Sequence, residues 1–315
     1  MRTNLIEKLY REVDNFPKRI RRKEKNRFLD YITEKITNLG YEIKQTKGRY
    51  IFKSVNLETE NDDADIILGA HYDTPTILPF FFEYLFKIFG HTRQFFMIFG
   101  LFLLYAGFKF IASEFPDYNW LFTTIKYLFW LSFITILIPN PNNRNDNTSG
   151  VVTLLAVAEK LSHYEHLKKR VKFVFFDNEE LGLLGSFMQA KKWKKQQFPA
   201  KTKKFITVGC VGRGEVPVII YHKKDTLAKN LHEIFIKKSQ KARIIRLPFY
   251  PLSDNYILGS SGAVNISWMD KTVIPGGYYI RNIHSPKDKD VDYNKLEIVT
   301  NVLFELFKQG NGHEK

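Results

Sequence analysis

At 315 residues the chain is long enough for one large α/β domain or two small ones, with a sizeable buried core. Its formal net charge of +15 calls for an anionic partner or surface, and its single cysteine, Cys210, excludes an internal disulfide and a cysteine-built zinc ribbon. The N-terminal stretch MRTNLIEKLYREVDNFPKRIRRKEKNRF has no apolar h-region and no cleavage-like site, so a secretory signal is not expected and a reducing, cytoplasmic setting is.

The positive charge is clustered: KRIRRKEK from Lys18, HLKKRVK from His166, KKWKK from Lys191 and KTKK from Lys201. Solvated helix and loop faces, an anionic membrane surface or nucleic acid would each account for such clusters. No nucleic-acid-binding pattern accompanies them, and nucleic acid is not expected as a partner.

In chain order, NRFLDYITEKITNLG places Phe28, Leu29, Ile32, Ile36 and Leu39 on one helical face, and Gly40 stops the helix. YIFKSV and ADIILGAHYD read as strands, the second apolar enough to be central. Residues 77–138 form an apolar insertion. Within it, Phe95 to Ala112 carries only Lys109 as a charge and Asn119 to Ile138 only Lys126. About 20 mainly apolar residues cross a bilayer, so both runs sit at that threshold and predict a two-helix transmembrane hairpin. Buried core helices or a dimerisation hairpin are the alternatives, but the remainder already supplies a complete sheet with its own helices.

After the insertion, DNTSGVVTLLAVAEKL predicts a capped helix, VKFVFFDNEE a buried strand ending in acids and LGLLGSFMQAKKW a helix. FITVGCVG and VPVIIYH read as strands, TLAKNLHEIFIKKSQK as a helix, AVNISWMD as a strand and NKLEIVTNVLFELFKQG as a C-terminal helix. The alternation predicts an α/β sandwich around a largely parallel sheet.

Four clusters of ligand-type side chains stand at strand ends or helix starts: His71 with Asp73, then Asp146, the pair Glu179–Glu180, and His284. In an α/β sheet, functional groups gather at the carboxyl ends of strands, so these could converge on one crevice. Histidines with carboxylates make a ligand set suited to zinc. Of two adjacent glutamates, one can bind metal while its free neighbour takes a proton from the attacking water.

The order GAHYD, DNTSG, NEELGLLGS, SD and IHSPKD resembles the co-catalytic zinc aminopeptidase family, which includes aminopeptidases Y and S and glutamate carboxypeptidase, with glutaminyl-peptide cyclases as relatives. The resemblance runs from about Ala64 to the C-terminus, outside the insertion. It implies a three-layer sandwich with a central mixed, largely parallel sheet, formed by residues 1–76 and 139–315 as one discontinuous domain. It implies His71 as a ligand of the first metal, oriented by Asp73, and Asp146 as the bridging aspartate. By the same resemblance Glu179 is the general base, Glu180 and His284 are ligands of the second metal, and Asp254 helps organise the pocket.

One position departs from the pattern. Where the family places an aspartate that completes the first metal site, ITVGCVGRGE has Gly209. Cys210 is expected to be a poor substitute, since neighbours on a strand point to opposite faces, and Glu215 is the other candidate. The expectation is one tightly bound zinc on Asp146, Glu180 and His284, with a second ion held weakly if at all. The implied activity is zinc-dependent hydrolysis of peptides, as an aminopeptidase. A glutaminyl-cyclase-like acyltransferase or a catalytically impaired peptide-binding relative is the alternative.

The hairpin occupies a loop that borders the metal crevice in the resembled family, so the crevice is expected to face the bilayer. The connection SEFPDYN has acids and no Lys or Arg, while Lys87, Arg93 and Arg144 flank the outer ends, placing the catalytic domain on the cytoplasmic side.

Overall fold

In the computed structural model, which describes residues 5–49, 51–198, 203–247, 253–258 and 262–309, helices α1 (Leu5–Asp14) and α2 (Arg22–Asn38) precede a hairpin of β1 (Ile43–Arg49) and β2 (Lys53–Thr59). β3 (Ile66–His71) is followed by α3 (Phe81–Phe89), α4 (Gln94–Glu114) and α5 (Asn119–Ser132). Then come α6 (Ser149–Ser162), α7 (Glu165–Lys168), β4 (Val171–Phe176), α8 (Leu184–Lys195), β5 (Lys204–Val208), β6 (Val216–Tyr221) and α9 (Thr226–Lys237). β7 (Arg243–Arg246), α10 (Asn255–Leu258), β8 (Val264–Lys271), β9 (Tyr278–Tyr279) and α11 (Tyr293–Gln309) complete the order.

The sheet runs β1-β2-β4-β3-β5-β8-β6-β7, with β9 on β8. β4, β3, β5 and β8 are parallel, and the edges bring in antiparallel partners. The centre is buried on both faces, which is why its strands are apolar throughout rather than alternating. Ile66, Leu68 and Ala70 of β3 face the core shared with α1, α2, α6 and α11, whereas Ile67 faces the core that contains Trp193 of α8. Helices therefore cover both faces, giving the expected three-layer sandwich.

The YIFKSV reading needs correction. Its apolar run straddles the β1–β2 turn, where Ile51 and Phe52 are exposed, and the strand begins only at Lys53; Tyr50 lies outside the described residues. The basic clusters also divide. Arg19 is fully buried and donates to the carbonyl of Tyr72 and to Thr148. Lys25 pairs with Asp177 at 2.5 Å, and Lys172, 0% exposed, pairs with Asp62 at 2.8 Å and Glu58 at 3.6 Å. These cations hold the fold together and are not available to an outside partner, while Lys191, Lys194 and Lys195 remain exposed. Lys201 and Thr202 of the last cluster lie outside the described residues.

The insertion contains three helices rather than two. α3 alternates Phe and Leu with Glu83 and Lys87, an amphipathic pattern that packs partly against the body. The second apolar run is α-helical only to Ser132 and tightens into a 3₁₀ turn over Phe133–Leu137. α4 and α5 touch through Phe108 and Phe122, with ring centroids 5.4 Å apart. Their outer side chains stand off the body: Phe110 and Trp120 are 66% and 68% exposed. Among the described residues one helical stretch, Trp120–Leu137, is long and apolar enough to cross a membrane.

Candidate metal centre and active site

The carboxyl ends of β3, β4 and β5 point to one side of the sheet, and the loops beyond them meet there. His71 is the last residue of β3, and Glu179 and Glu180 follow β4. Asp146 lies in an irregular turn before α6, at φ −112° and ψ 98°, joined to Asn147 by a cis peptide. His284 arrives on the loop after β9.

Ligand atoms of His71, Asp146 and Glu180 all lie within 4.8 Å of one another. The Nε2 atom of His71 is 3.7 Å from Asp146 Oδ1. His284 Nε2 lies 3.3 Å from Asp146 Oδ2 and 3.1 Å from Glu180 Oε2. Asp73 stands at 3.5 Å from His71 Nδ1, on the side of the ring away from Asp146. It also does something the sequence does not show: its two oxygens accept the backbone N–H groups of Glu179 and Glu180, at 3.1 and 3.2 Å. One carboxylate thus holds the paired glutamates and faces the first histidine.

Five carboxyl groups (Asp73, Asp146, Glu179, Glu180 and Asp254) gather around two histidines, with His71, Asp73, Asp146 and Asp254 buried and Glu179, Glu180 and His284 partly so. Burial opposes the charging of His71 and His284, yet Glu179 beside the first and Glu180 beside the second hold both rings well above the ordinary histidine value. Burial pushes Glu179 well above the ordinary glutamate value, against the pull of His71, and raises Glu180 against the pull of His284. Asp254 is pushed up to about 7 by burial. Asp146 Oδ2, Glu180 Oε1 and both oxygens of Asp254 are buried without a hydrogen-bond partner among the described residues. A surplus of buried, unsatisfied carboxylate oxygens facing imidazole nitrogens is a donor set that fits a divalent cation, and zinc in particular.

Gly209 lines the same cavity of about 400 Å³ and brings no ligand. A Cβ there would meet Ser267 Oγ at 2.7 Å, so Ser267 and Asn265 occupy the space a longer side chain would need. Glu215 is exposed at the start of β6, bound through its backbone to Met269, and does not line the cavity. The expected facing of Cys210 is corrected. β5 ends at Val208, so strand alternation no longer governs, and the Cys210 thiol reaches the cavity and donates to Asp146 Oδ1 at 3.4 Å. Burial and the Asp146 charge push that thiol well above its ordinary value.

Sequence reasoning missed three groups. Asp288 accepts the backbone N–H groups of Asn145 and Asp146 and shapes the turn that presents Asp146; the acids after HSPK were the only signal for it. His91, from the insertion, lines the cavity. The neck of the insertion clasps the His284 loop: Leu78 N–H donates to the His284 carbonyl and Asn140 to that of Ser285, each at 3.0 Å.

A model of peptidase family M28 matches residues 141–306, just over half of the chain. The chain belongs to peptidase family M28. The matched segment holds Asp146, the glutamate pair, Asp254 and His284, while His71, Asp73 and the insertion precede it. No curated protein sequence matches the chain. Among solved structures it is similar to Porphyromonas gingivalis glutaminyl cyclase, at 14% identity and TM-score 0.65, covering 98% of each chain. It is similar to a Zn-dependent exopeptidase from Parabacteroides distasonis, at 14% identity and TM-score 0.64, covering 96% of this chain and 97% of that one. Legionella pneumophila LapA aminopeptidase gives 13% identity and TM-score 0.66, covering 99% of this chain and 72% of that one. At such identities the likeness establishes the fold, and M28 membership makes this chain a peptidase or a related enzyme.

Proposed function

We propose that this M28 chain is a membrane-anchored, zinc-dependent exopeptidase that removes N-terminal residues from peptides. The observation that carries the reading is the convergence of His71, Asp146 and Glu180 within 4.8 Å, with Glu179 lining the same cavity. Asp146, Glu180 and His284 would hold one zinc tightly. His71 with Asp146 would hold a second ion weakly, because Gly209 supplies no third ligand. Zinc supplies Lewis-acid polarisation of the scissile carbonyl and eases deprotonation of water.

The chain's own residues supply the rest. Glu179 accepts the proton of the attacking water and delivers it to the leaving amine, a role that suits a carboxyl whose proton affinity is raised by burial. Asp73 keeps that carboxyl and the Glu180 ligand in place through their backbone N–H groups. Asp254, itself buried, adds to the charge that bears on Glu179.

The domain is read as residues 1–76 with 139–315, and 77–138 as the part that enters the bilayer through spans 95–112 and 119–138. The exposed apolar faces of α4 and α5 support this reading. Both termini and the catalytic cavity would then lie on the cytoplasmic face, with the exposed lysines near anionic lipid. Arg144 contributes less to that orientation than its position in the sequence implies, since it pairs with Asp14 at 2.5 Å.

Gly209 favours a second reading, a glutaminyl-cyclase-like acyltransferase or a catalytically impaired relative working with one zinc. The test is turnover by zinc-supplied protein of aminoacyl fluorogenic substrates against peptides with an N-terminal glutamine. Release of the fluorophore supports the exopeptidase; loss of ammonia from the glutaminyl peptide alone supports the cyclase.

A further inference from the structure

The cavity is walled on one side by the insertion, which contributes Leu78, Phe86 and His91. His91 is 5% exposed, and its ring stacks on Phe86 with centroids 4.1 Å apart and planes at 24°. The backbone N–H of Ile280 donates to His91 Nδ1 at 3.1 Å. Nδ1 must therefore carry a lone pair, and in the neutral ring the proton sits on Nε2. Nε2 is buried in the cavity wall and has no partner among the described residues.

That tautomer decides what His91 does. Coordination through Nε2 would need a lone pair there and move the proton to Nδ1, setting two N–H groups against each other at Ile280. His91 is thus no replacement for the missing ligand at Gly209. It is a neutral, unpartnered donor in the wall of a cavity otherwise rich in acceptors. We propose that His91 is a substrate-binding residue whose Nε2–H donates to a backbone carbonyl oxygen of the bound peptide. A protonated substrate amine brings only donors and cannot satisfy it, and a substrate carboxylate would be repelled by the acids opposite.

The ring is held in register by the body of the protein. Val273 and Ile274 donate to the carbonyls of Lys87 and Ile88, and Tyr278 donates to Thr92 Oγ1 at 3.0 Å. Gly90, at φ +84°, lets the chain turn against the Tyr278 carbonyl, where a Cβ would come within 2.6 Å. The insertion is therefore part of the binding site as well as an apolar segment. This assignment rests on the peptide-hydrolase reading above, and its test can fail separately from it.

The full chain carrying Glu179→Gln, zinc-supplied, in detergent and labelled with ¹⁵N-histidine, is titrated with leucinamide and with isopentylamine, which lacks the carbonyl. The His91 resonance, identified by its loss in His91→Phe, is expected as the Nε2–H tautomer and shifts with leucinamide. His91→Phe is expected to weaken leucinamide about tenfold, leave isopentylamine unchanged and keep its zinc. His91→Gln, which restores an amide donor, recovers most of the loss. An Nδ1–H tautomer, equal weakening of both probes, no weakening of either, or no binding of leucinamide overturns the assignment. If the unsubstituted chain binds leucinamide through His91 yet turns over no peptide, the peptidase reading falls and the assignment stands.

Discussion

Asp73 is the residue on which most of the site depends, because it faces His71 with one edge and receives the N–H groups of Glu179 and Glu180 on both oxygens. Asp73→Asn keeps the size but turns an N–H₂ group toward a backbone donor, so one of those bonds must be lost. Partners that orient metal ligands are typically worth about 10–100-fold in metal affinity, and a weakening of that order is expected by competition with a chelating indicator. Unchanged affinity would show that the glutamates hold their place without it. Gly209 illustrates the opposite case. Restoring a carboxylate with Gly209→Asp meets Ser267 Oγ, so the change alone is expected to cost stability, about 1–3 kcal/mol by the usual scale of overpacking. The meeting of His71, Asp146, Glu179, Glu180 and His284 in one cavity was legible because their types and order are tied to the chemistry. Asp288, Cys210 and His91 were not, since each acts through contacts across long stretches of chain that no local pattern encodes.

At the scale of elements, the core strands read directly from sequence because burial on both faces makes them uninterrupted apolar runs. The same signal misled at YIFKSV, where exposed Ile51 and Phe52 sit at a hairpin tip, and it concealed α3 inside a longer apolar stretch. Periodicity reports which residues avoid water and not what shields them. α4 and α5 pose that question most sharply, since their exposed faces are apolar and lie away from the sheet. If 95–112 and 119–138 span a bilayer, Ser113, exposed at the end of α4 near the connecting turn, lies on the far side from the metal cavity. In a Cys210→Ala background, Ser113→Cys is expected to react in intact cells with a membrane-impermeant thiol reagent. Protection of Ser113→Cys in intact cells, with labelling only after lysis, would contradict the topology.

For the whole molecule, the excess of buried acid would make zinc, if bound there, and protons competitors. Asp288 is pushed up to about 8 by burial and the Asp146 charge, and Asp254 to about 7 by burial. Both lie above the roughly 4 of an unfolded carboxyl, so the folded, zinc-free chain binds more protons than the unfolded one between those values. Their contribution is complete below about pH 4 and is lost as pH rises through the folded values. His71 and His284 add the same sign, complete below about 6.5 and lost above their raised folded values. Asp73 and Asp146, lowered against burial by the neighbouring His71 and His284, lose their contribution only in acid. Zinc-free protein is therefore expected to melt at a lower temperature at about pH 8 than at about pH 5.5, and the gain on adding zinc to be larger at the higher pH. A zinc-free melting temperature that rises over that interval would contradict the charge balance. The most direct test of the central claim is zinc per chain and peptide turnover measured on the same samples of wild type, Glu179→Gln and Glu180→Gln. One zinc is expected in the wild type and in Glu179→Gln, with kcat lowered by at least about 10²-fold in the latter, and loss of both zinc and turnover in Glu180→Gln. Peptide turnover that survives Glu179→Gln would contradict it.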